Sequence, residues 1–461
     1  MRKLHRVLQA IGVVSAALIP AIVSGLSSGP DPRYTGAPGD SPLACASSGC
    51  HTGSKQGGPI NAAGGKVEAA FCGGTNYTPG VPQTITVTVS DPVNTRYGFQ
   101  MTARLGSNQT NGQAGDFTAG PGTIVLCDNG SVKQPNRACN ANALVQFIEH
   151  STPSASPNFT FTWTPPATDV GPINFYIAGN AVNNNTLEDS GDHVYTKSYV
   201  LTPSPALTCS ANTPNITNVI TAGAFGGLTN YGAGTWLEVY GSGFSSMPAR
   251  QWACPDFNGA NAPTKLDNTS VTINGKPGFV FFSSEGQVNV QAPGGDTFVG
   301  PTDIVVTNCT KSSSSFNRQR TATAPGLLAP DSFKIGGKQF LVAQFSDGAY
   351  VLSANAIPGL NSRPAKPGDN ITVYGIGFGD TTPPNSPGIV VSALNSITAP
   401  VTISFGSTPA TLTYKGLAPG FVGLYQFNIT VPNVADGDHA IAVTLDGTPL
   451  QQQPFFLTVR R

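Results

Sequence analysis

Short runs in which apolar and polar residues alternate are the main pattern along the chain. Hydroxyl and aliphatic side chains alternate over Thr84–Val89, and aromatic side chains alternate with Thr over Phe159–Trp163. A period of two is that of a β-strand with one buried face. The run Ile173–Ala178 is largely apolar, which predicts a strand buried on both faces. Because clusters of Gly, Pro and Asn separate these runs, the pattern predicts an all-β protein built from tandem antiparallel β-sandwiches.

The composition supports this prediction and narrows the class of protein. The chain has 461 residues, of which 10% are charged, and it contains 54 Gly and 39 Pro. This length corresponds to about three domains, and the Gly and Pro content indicates many turns. The 24 basic residues equal the 24 acidic residues, which argues against a broad basic surface that binds nucleic acid.

The first 28 residues have the layout of a secretory signal peptide. Arg2, Lys3 and Arg6 precede an apolar stretch at 7–23, and small residues follow at 24–28. A positive start, a short apolar centre and a small-residue end are typical of a signal peptide, and the stretch is short for a membrane span of ~20 apolar residues. An uncleaved membrane anchor is the alternative. We therefore expect an exported protein (periplasmic, on the outer surface or secreted) without a transmembrane span in its mature chain.

The cysteine content agrees with export. The chain has 8 Cys, and an even number in an exported protein predicts disulfides. Cys45 and Cys50 form a group apart, close to His51. Among the other six, proximity and shared modules favour the pairs Cys127–Cys139, Cys254–Cys309 and Cys72–Cys209.

Changes in composition and a Pro-rich linker near 202–215 divide the mature chain into modules. A Gly/Ser-rich segment with little periodicity precedes the strand-rich region. The predicted divisions are the signal peptide at 1–28, the Gly/Ser-rich segment at 29–65, a β-sandwich at 66–205, and two further modules at 213–330 and 331–461.

The last two modules contain an internal repeat. Three motifs recur in the same order at similar offsets, which predicts two copies of one antiparallel sandwich. In each copy a strand ends in Tyr-Gly-x-Gly-Phe, where the glycines permit a tight bend. The matching segments are Val239–Phe244 with Val373–Phe378, Val271–Asn274 with Val401–Ser404, and Gln287–Pro293 with Gln426–Pro432.

These two copies resemble the immunoglobulin-like IPT/TIG modules. The pair, at about 215–461, is similar to a carboxy-terminal region found on exported proteins of Solibacter-type acidobacteria, through its two Tyr-Gly-x-Gly-Phe turns and the sequences GQVNVQAP and YQFNITVP. That family has no established catalytic residues. The resemblance therefore implies a role in spacing or surface presentation.

Candidate cofactor chemistry lies in the segment Cys45–His51. Covalent attachment of haem c uses two thiols that reach the vinyl groups and an adjacent His that ligates the iron, usually as C-x-x-C-H. In this chain four residues separate Cys45 from Cys50, with His51 directly following. The alternative is a small Cys45–Cys50 disulfide loop with His51 next to it by chance.

The region at about 34–200 resembles the Reeler-like domain of bacterial surface proteins labelled "choice-of-anchor V". Members typically carry Cys-x-x-Cys-His at the position of Cys45–His51, and this chain departs from them by two extra residues between the thiols. The segments that carry the resemblance are Thr35–Asp40, Tyr77–Gly80, Arg96–Gln100, Gln113–Phe117 with its preceding Gly, Glu149–Ser151, Phe159–Pro166 and Gly191–Thr196.

The resemblance implies a set of ligands for a haem iron. His51 is the expected proximal ligand, with thioether bonds to Cys45 and Cys50. The family also carries His at positions like His150 and His193, which are the alternative distal ligands. Met101 lies in the same module and is a further candidate sulfur ligand.

We therefore expect an exported modular surface protein that is not an enzyme. The main hypothesis is one covalently bound haem c that serves electron transfer or redox sensing with an unidentified redox partner. The alternative is a non-catalytic structural or adhesive protein that has a Cys45–Cys50 disulfide and no haem, and that binds a cell-surface or matrix component through its loops.

Overall fold

The structure is a computed structural model that describes residues 29–47, 51, 59–62, 64–135, 137–185, 189–452 and 454–461. The predicted signal peptide and Cys50 lie outside the described residues. The chain divides into two compact units, Met1–Ser204 and Pro205–Arg461.

The described residues form strands and no α-helix, so the predicted all-β class is confirmed. Their helical elements are single 3-10 turns. These turns are Ala44–Ala46, Gly223–Phe225, Cys254–Asp256 and Asp331–Phe333.

The first unit is a sandwich of two sheets. One sheet has the strand order β1-β3-β9-β6, and the other has the order β2-β11-β10-β4-β8-β7, with β5 paired to β4. The strands are β1 (Lys66–Phe71), β2 (Asn76–Tyr77), β3 (Gln83–Ser90), β4 (Arg96–Leu105), β5 (Asn108–Gln113), β6 (Asp116–Thr118), β7 (Thr123–Cys127), β8 (Gln146–His150), β9 (Asn158–Thr164), β10 (Ile173–Val182) and β11 (His193–Pro203).

Alternation along the strands builds the core of this sandwich. In β3 the aliphatic residues Ile85, Val87 and Val89 are buried while the intervening Thr residues face outward. Trp163 on β9 is fully buried and donates its indole N–H to the carbonyl of Ala114 at 2.9 Å. This bond satisfies the one polar group of the side chain within the apolar core.

The disulfides confirm one predicted pair and correct two. Cys127 is bonded to Cys139, as the short polar loop between them predicts. Cys209 is bonded to Cys309, so the predicted pairs Cys72–Cys209 and Cys254–Cys309 are wrong. Residue 309 directly follows the strand Gly300–Asn308 of the second unit. At the end of that strand the Asn308 side chain accepts from the backbone N–H of Ser210, the residue next to Cys209, at 2.7 Å.

The second unit begins with a sandwich of a five-stranded and a seven-stranded sheet. The first has the order β12-β14-β20-β19-β15, and the second has the path β13-β23-β21-β17-β16 with β18 on β17 and β22 on β21. The strands are β12 (Asn215–Thr221), β13 (Asn230–Tyr231), β14 (Trp236–Ser242), β15 (Arg250–Gln251), β16 (Lys265–Leu266), β17 (Thr269–Ile273), β18 (Lys276–Pro277), β19 (Phe279–Ser283), β20 (Gln287–Gln291), β21 (Gly300–Asn308), β22 (Lys311–Ser312) and β23 (Phe316–Arg320).

A second sandwich completes this unit. Its larger sheet follows β29-β28-β27-β30-β36-β35 with β24 on β30, and its smaller sheet follows β34-β33-β37-β38 with β39 on β37. The strands are β24 (Gly326–Leu327), β25 (Lys334–Ile335), β26 (Lys338–Gln339), β27 (Ala343–Gln344), β28 (Tyr350–Val351), β29 (Ser362–Arg363), β30 (Asn370–Ile376), β31 (Thr381–Thr382), β32 (Ser396–Ile397), β33 (Val401–Phe405), β34 (Thr408–Pro409), β35 (Thr411–Leu417), β36 (Tyr425–Thr430), β37 (Gly437–Leu445), β38 (Thr448–Pro449) and β39 (Phe455–Val459).

The two sandwiches use their repeated motifs in the same way. The strand that ends in Tyr-Gly-x-Gly-Phe pairs with the later Gln-containing strand in both copies, as β14 with β20 and β30 with β36. The register is also the same, because Tyr240 lies opposite Gln287 and Tyr374 lies opposite Gln426. The internal repeat of the sequence is therefore a structural repeat.

Gln291 joins the two sandwiches of the second unit. Its side chain is buried, donates to the carbonyl of Gly234 at 3.0 Å and accepts from the amide of Gly388 at 2.7 Å. Nearby, the Trp236 indole donates to the carbonyl of Val422 at 3.1 Å. A Cβ at Gly423 would lie 2.0 Å from the Gln291 amide nitrogen, so this close approach requires glycine.

Replacing Gln291 with Leu is expected to destabilise the second unit by about 2 kcal/mol, because it leaves the buried amide of Gly388 and the partly buried carbonyl of Gly234 without their partner. Denaturant unfolding followed by Trp fluorescence measures this, since Trp236 lies at the junction. Gln426→Leu is the matched control on the repeated strand, where the side chain bonds within its own strand to Asn428. An equal loss in both variants would show that Gln291 has no special role.

Candidate functional site

The predicted site lies where the chain before β1 crosses the outer face of the seven-stranded sheet of the first unit. We call residues 29–47 the arm. Three outward-facing polar residues of β4, namely Gln100, Thr102 and Arg104, are fully buried. Successive residues of a strand face opposite sides, so these alternate with Phe99, Met101 and Ala103 of the core. A polar row on a sheet face is buried in this way only when another segment covers it.

Gln100 fixes the first part of the arm. Its amide donates to the carbonyl of Asp31 at 3.0 Å, and its carbonyl accepts from the backbone N–H of Tyr34 at 2.8 Å. The same amide donates to the Glu149 carboxyl at 2.7 Å. All these groups are satisfied together, which removes the cost of burying them.

A buried ion pair fixes the second part of the arm. The guanidinium of Arg104 lies 3.0 Å from Asp40, and both side chains have 0% exposure. Burial lowers the pKa of Arg104, and the charge of Asp40 opposes this effect. Thr35 also donates to Asp40 at 2.6 Å. Removing one partner of such a pair leaves an uncompensated buried charge.

Arg33 extends this pair into a network at the edge of the face. Its guanidinium makes two bonds of 2.6 Å to the carboxylate of Asp128 and also lies 3.3 Å from Asp40. A bidentate bond between guanidinium and carboxylate is strong and directional. The network thus joins two Arg and two Asp from the arm and the sandwich.

Cys45 lies in the 3-10 turn at the end of the arm. It is buried in a small cluster with Ala44, Ala46, Ala178 and Val194. The backbone N–H of His51 donates to the carbonyl of Cys45 at 3.3 Å, so the structure brings these two predicted residues together. Cys50 lies outside the described residues.

His51 is held by a carboxylate. Its Nδ1 lies 2.9 Å from Asp192, whose side chain is 2% exposed. Asp192 also accepts from the backbone N–H of Asn183. The arrangement fixes the ring and leaves Nε2 pointing away from the carboxylate.

His193 is held in the same manner by a different carboxylate. Its Nδ1 lies 2.6 Å from Asp91, which is fully buried and also accepts from the hydroxyl of Tyr195. Burial alone would raise the pKa of Asp91, but hydrogen bonds from Asn94, Tyr195, Val93 and His193 outweigh it and lower the pKa.

His150 occupies a different environment. Its ring packs on Gly98, where a Cβ would lie 2.6 Å from the ring. Its Nδ1 lies 3.1 Å from the backbone nitrogen and 3.2 Å from the carbonyl oxygen of Phe99, so this nitrogen can accept from the one or donate to the other. Burial lowers the pKa of His150, and the charge of His51 lowers it further.

Met101 does not belong to this site. Its side chain is fully buried in the core between the two sheets, on the opposite side of β4 from Gln100. The sequence interpretation of Met101 as a sulfur ligand is therefore wrong, because the alternation of β4 turns it inward.

Glu149 is a buried acidic group of the site and has no ion pair with any described residue. It is 1% exposed, and its side-chain hydrogen bond is the one from Gln100. Burial raises the pKa of Glu149 to about 8, with the Gln100 bond lowering it and the charge of Asp31 raising it.

The buried Asp40–Arg104 pair was not among the residues that the sequence singled out for a role. Asp40 stands in the segment Thr35–Asp40 that carries the family resemblance, which was the available signal. Arg104 ends a stretch of alternating polar positions on a strand, but nothing in that pattern shows that its outward face is covered.

The comparison with protein families gives one match. Residues 72–181 match the family model described as Reeler domain. The first unit contains a Reeler domain. The match covers about a quarter of the chain and includes Gln100, Arg104 and His150, whereas the arm and β11 lie outside it.

Solved structures similar to the chain include reeler domains of human F-spondin. Fragment 1 is 17% identical over 30% of this chain and 88% of that chain, with a TM-score of 0.21. Fragment 2 is 16% identical over 32% and 94%, with a TM-score of 0.22. Domains 5-6 of the S-layer protein SbsC are 12% identical over 53% and 98%, with a TM-score of 0.20. At such TM-scores the assignment of the Reeler domain rests on the family model.

No curated protein matches the chain. The Reeler domain and disulfides such as Cys127–Cys139 and Cys209–Cys309 suit an extracellular protein. Within the described ranges, the structure contains no helix with the length and apolar character to cross a membrane.

Asp40→Asn is expected to destabilise the first unit by about 3–5 kcal/mol, because the buried Arg104 guanidinium loses its counter-charge. Hydrogen exchange should show the largest loss of protection in residues 29–47 and β4. The control is Glu68→Gln in the same unit, which removes exposed ion pairs with Lys66 and Lys197 and should change stability little. Equal effects of the two substitutions would contradict this role of Asp40.

The first unit is expected to lose stability in acid through Asp91. Its pKa in the folded protein lies below the ordinary value of ~3.9, so its contribution is complete above about pH 4 and is lost as the pH falls through the folded pKa. Unfolding free energies between pH 6 and pH 2.5 measure this loss. Asp91→Asn should be less stable at pH 6 and should show a flatter pH dependence; an unchanged slope would contradict the assignment.

Proposed function

We propose that this chain is an exported, non-catalytic surface protein in which the Reeler domain is a binding module carried by two immunoglobulin-like modules. The proposal rests on one observation: titratable side chains of the first unit are paired with other side chains of that unit. Asp40, His51 and His193 are each paired with a side chain from a distant part of the sequence. Such pairs hold segments together and leave binding to the exposed loops.

In this proposal Cys45 and Cys50 form a disulfide that closes the turn after the arm. Disulfides are the expected state of neighbouring thiols in an exported protein. Together with Cys127–Cys139 and Cys209–Cys309, this bond would fix the loops of a protein that works outside the cell. The binding target is a glycan, a protein or a matrix component at the cell surface.

Electron transfer or redox sensing through one haem c is a second candidate, and the pairing of His51 with Asp192 favours it. A carboxylate on the second ring nitrogen is the arrangement that orients a metal-ligating His, and it leaves the lone pair of His51 on Nε2. His193 has the same arrangement with Asp91, but it faces the other way from Asp192, which holds His51. Among the residues that the structure describes, no group of three or more His, Cys, Asp and Glu could hold a metal ion. The pairing with Asp192 thus supports His51 alone, and His150 and His193 stay alternative distal ligands.

The two cysteines of the motif give no comparable support to haem binding. Cys45 is packed among small apolar residues, and Cys50 lies outside the described residues. Were haem bound, Cys45 and Cys50 would hold it and His51 would be the proximal ligand, and the group would supply one-electron chemistry. The non-haem function is therefore the one that we propose first.

Export of the full chain from a host with cytochrome c maturation machinery separates the two functions. We expect colourless protein in which Cys45 and Cys50 resist alkylation until they are reduced. A mass increase by one haem, with an absorbance band that survives denaturation, would instead establish the second candidate. Protein from a host without that machinery is the matched control.

Binding by the same colourless protein tests the positive part of the proposal. Immobilised mature chain is expected to give saturable binding to one class in a panel of bacterial polysaccharides and matrix proteins. The His51→Gln variant should bind equally well, because the proposed surface is made of loops and not of the histidine pairs. Absence of binding across the panel would contradict an adhesive role.

A further inference from the structure

The carboxyl group of Glu149 lies very close to the backbone of Gly29. In the uncleaved chain, none of the described residues pairs this carboxyl group with a cation. Gly29 is buried and has a φ of +104°. A Cβ built on it would lie 2.3 Å from Oε1 of Glu149 and 3.0 Å from the carbonyl oxygen of His150. Only glycine allows the carboxyl group to approach the backbone so closely at this position.

Glu149 is a buried carboxyl group without a cation. Its exposure is 1%, its side-chain bond comes from the neutral amide of Gln100, and the described part of the chain offers it no ion pair with Lys, Arg or His. Among the described residues, the charge that acts on it is the like charge of Asp31. A buried carboxyl group ionises readily only beside a cation, so a positive group on the side of Gly29 would form an ion pair with it.

Removal of the predicted signal peptide would create that group. Ser27 and Ser28 stand directly before Gly29, and a signal peptidase cleaves after a small residue. Hydrolysis of the Ser28–Gly29 peptide bond by a signal peptidase consumes one water; Ser28 keeps the new carboxylate, and Gly29 keeps the nitrogen as an α-amino group. An α-amino group has a pKa of roughly 7.7–8.0 and carries a proton at neutral pH.

We propose that the chain is processed between Ser28 and Gly29 and that the new α-ammonium group of Gly29 forms a buried ion pair with Glu149. Standard backbone geometry places the nitrogen of Gly29 within about 5 Å of Oε1, given the 2.3 Å contact of its Cβ position. A free terminus gains the rotation about Cα that closes the remaining distance. The pair anchors the first residue of the arm, next to the bonds that Gln100 makes to Asp31 and Tyr34.

The inference goes beyond the proposed function, because it concerns the maturation of the chain and holds with or without a ligand or haem. It rests on the signal-peptide prediction and on the geometry of Gly29. A failure of the binding or haem experiments leaves it intact.

The first test identifies the mature amino terminus. The full chain is exported from a bacterial host, and the purified protein is analysed by intact mass and amino-terminal peptide sequencing. We expect Gly29 as the first residue. A homogeneous, folded product that begins at any other residue overturns the proposal.

The second test moves the positive charge of the amino terminus from Gly29 to Ser27. Chains 29–461 and 27–461 are released from an amino-terminal fusion by a protease that leaves the stated residue first, each with Glu149 or with Glu149→Gln. With Glu149 present, retaining Ser27 and Ser28 should lower the thermal midpoint of the first unit by ~5 °C or more and reduce exchange protection in residues 29–35. With Glu149→Gln the two lengths should differ by less than half of that shift, since a double-mutant cycle isolates the pairwise interaction.

Equal midpoints of the two lengths in the Glu149 background overturn the ion pair. A shift of the same size in both backgrounds also overturns it, because the loss would then come from the added residues alone. If Glu149→Gln does not fold, α-acetylated 29–461 replaces it, since acetylation removes the charge and keeps Glu149. The acetylated chain should then melt as the extended chain does; a midpoint equal to that of the unmodified chain overturns the proposal.

Discussion

The buried ion pair between Asp40 and Arg104 is the contact on which the first unit depends. Arg104 stands on a central strand with its side chain on the outer face of the sheet, and its exposure is 0%. A guanidinium in that position requires a carboxylate, and the chain supplies it from the arm, which precedes the sandwich by many residues. Once Asp40 is in place, Arg33 and Gln100 bind the rest of the arm. The arm is thus a third layer over the seven-stranded sheet.

Two histidines of the unit, His51 and His193, lie in pairs with carboxylates. The chain that leaves the arm returns His51 to the edge of the sheet, where Asp192 holds it. Asp192 and His193 are consecutive, so the neighbouring residue faces the other way and meets Asp91. Both pairs join segments distant in sequence, and both leave an Nε2 directed away from the carboxylate.

In the second unit, the two copies of the repeat differ at positions that connect the two sandwiches. Both sandwiches keep the same strand register around Tyr240 and Tyr374. Trp236 and Gln291, which join the two sandwiches, correspond in the repeat to Asn370 and Thr430. The copies thus kept the residues that fold each sandwich and differ in those that connect them.

The sequence by itself determined the properties that depend on neighbouring residues. The period of two gave the all-β class, and the short polar loop between Cys127 and Cys139 gave their disulfide. The tertiary structure decided what depends on contacts across the sheet: the bond of Cys209 to Cys309, the inward side of Met101 and the burial of Arg104. Alternation divides a strand into two faces, but it does not say which face a distant segment will cover, because that choice is made by packing.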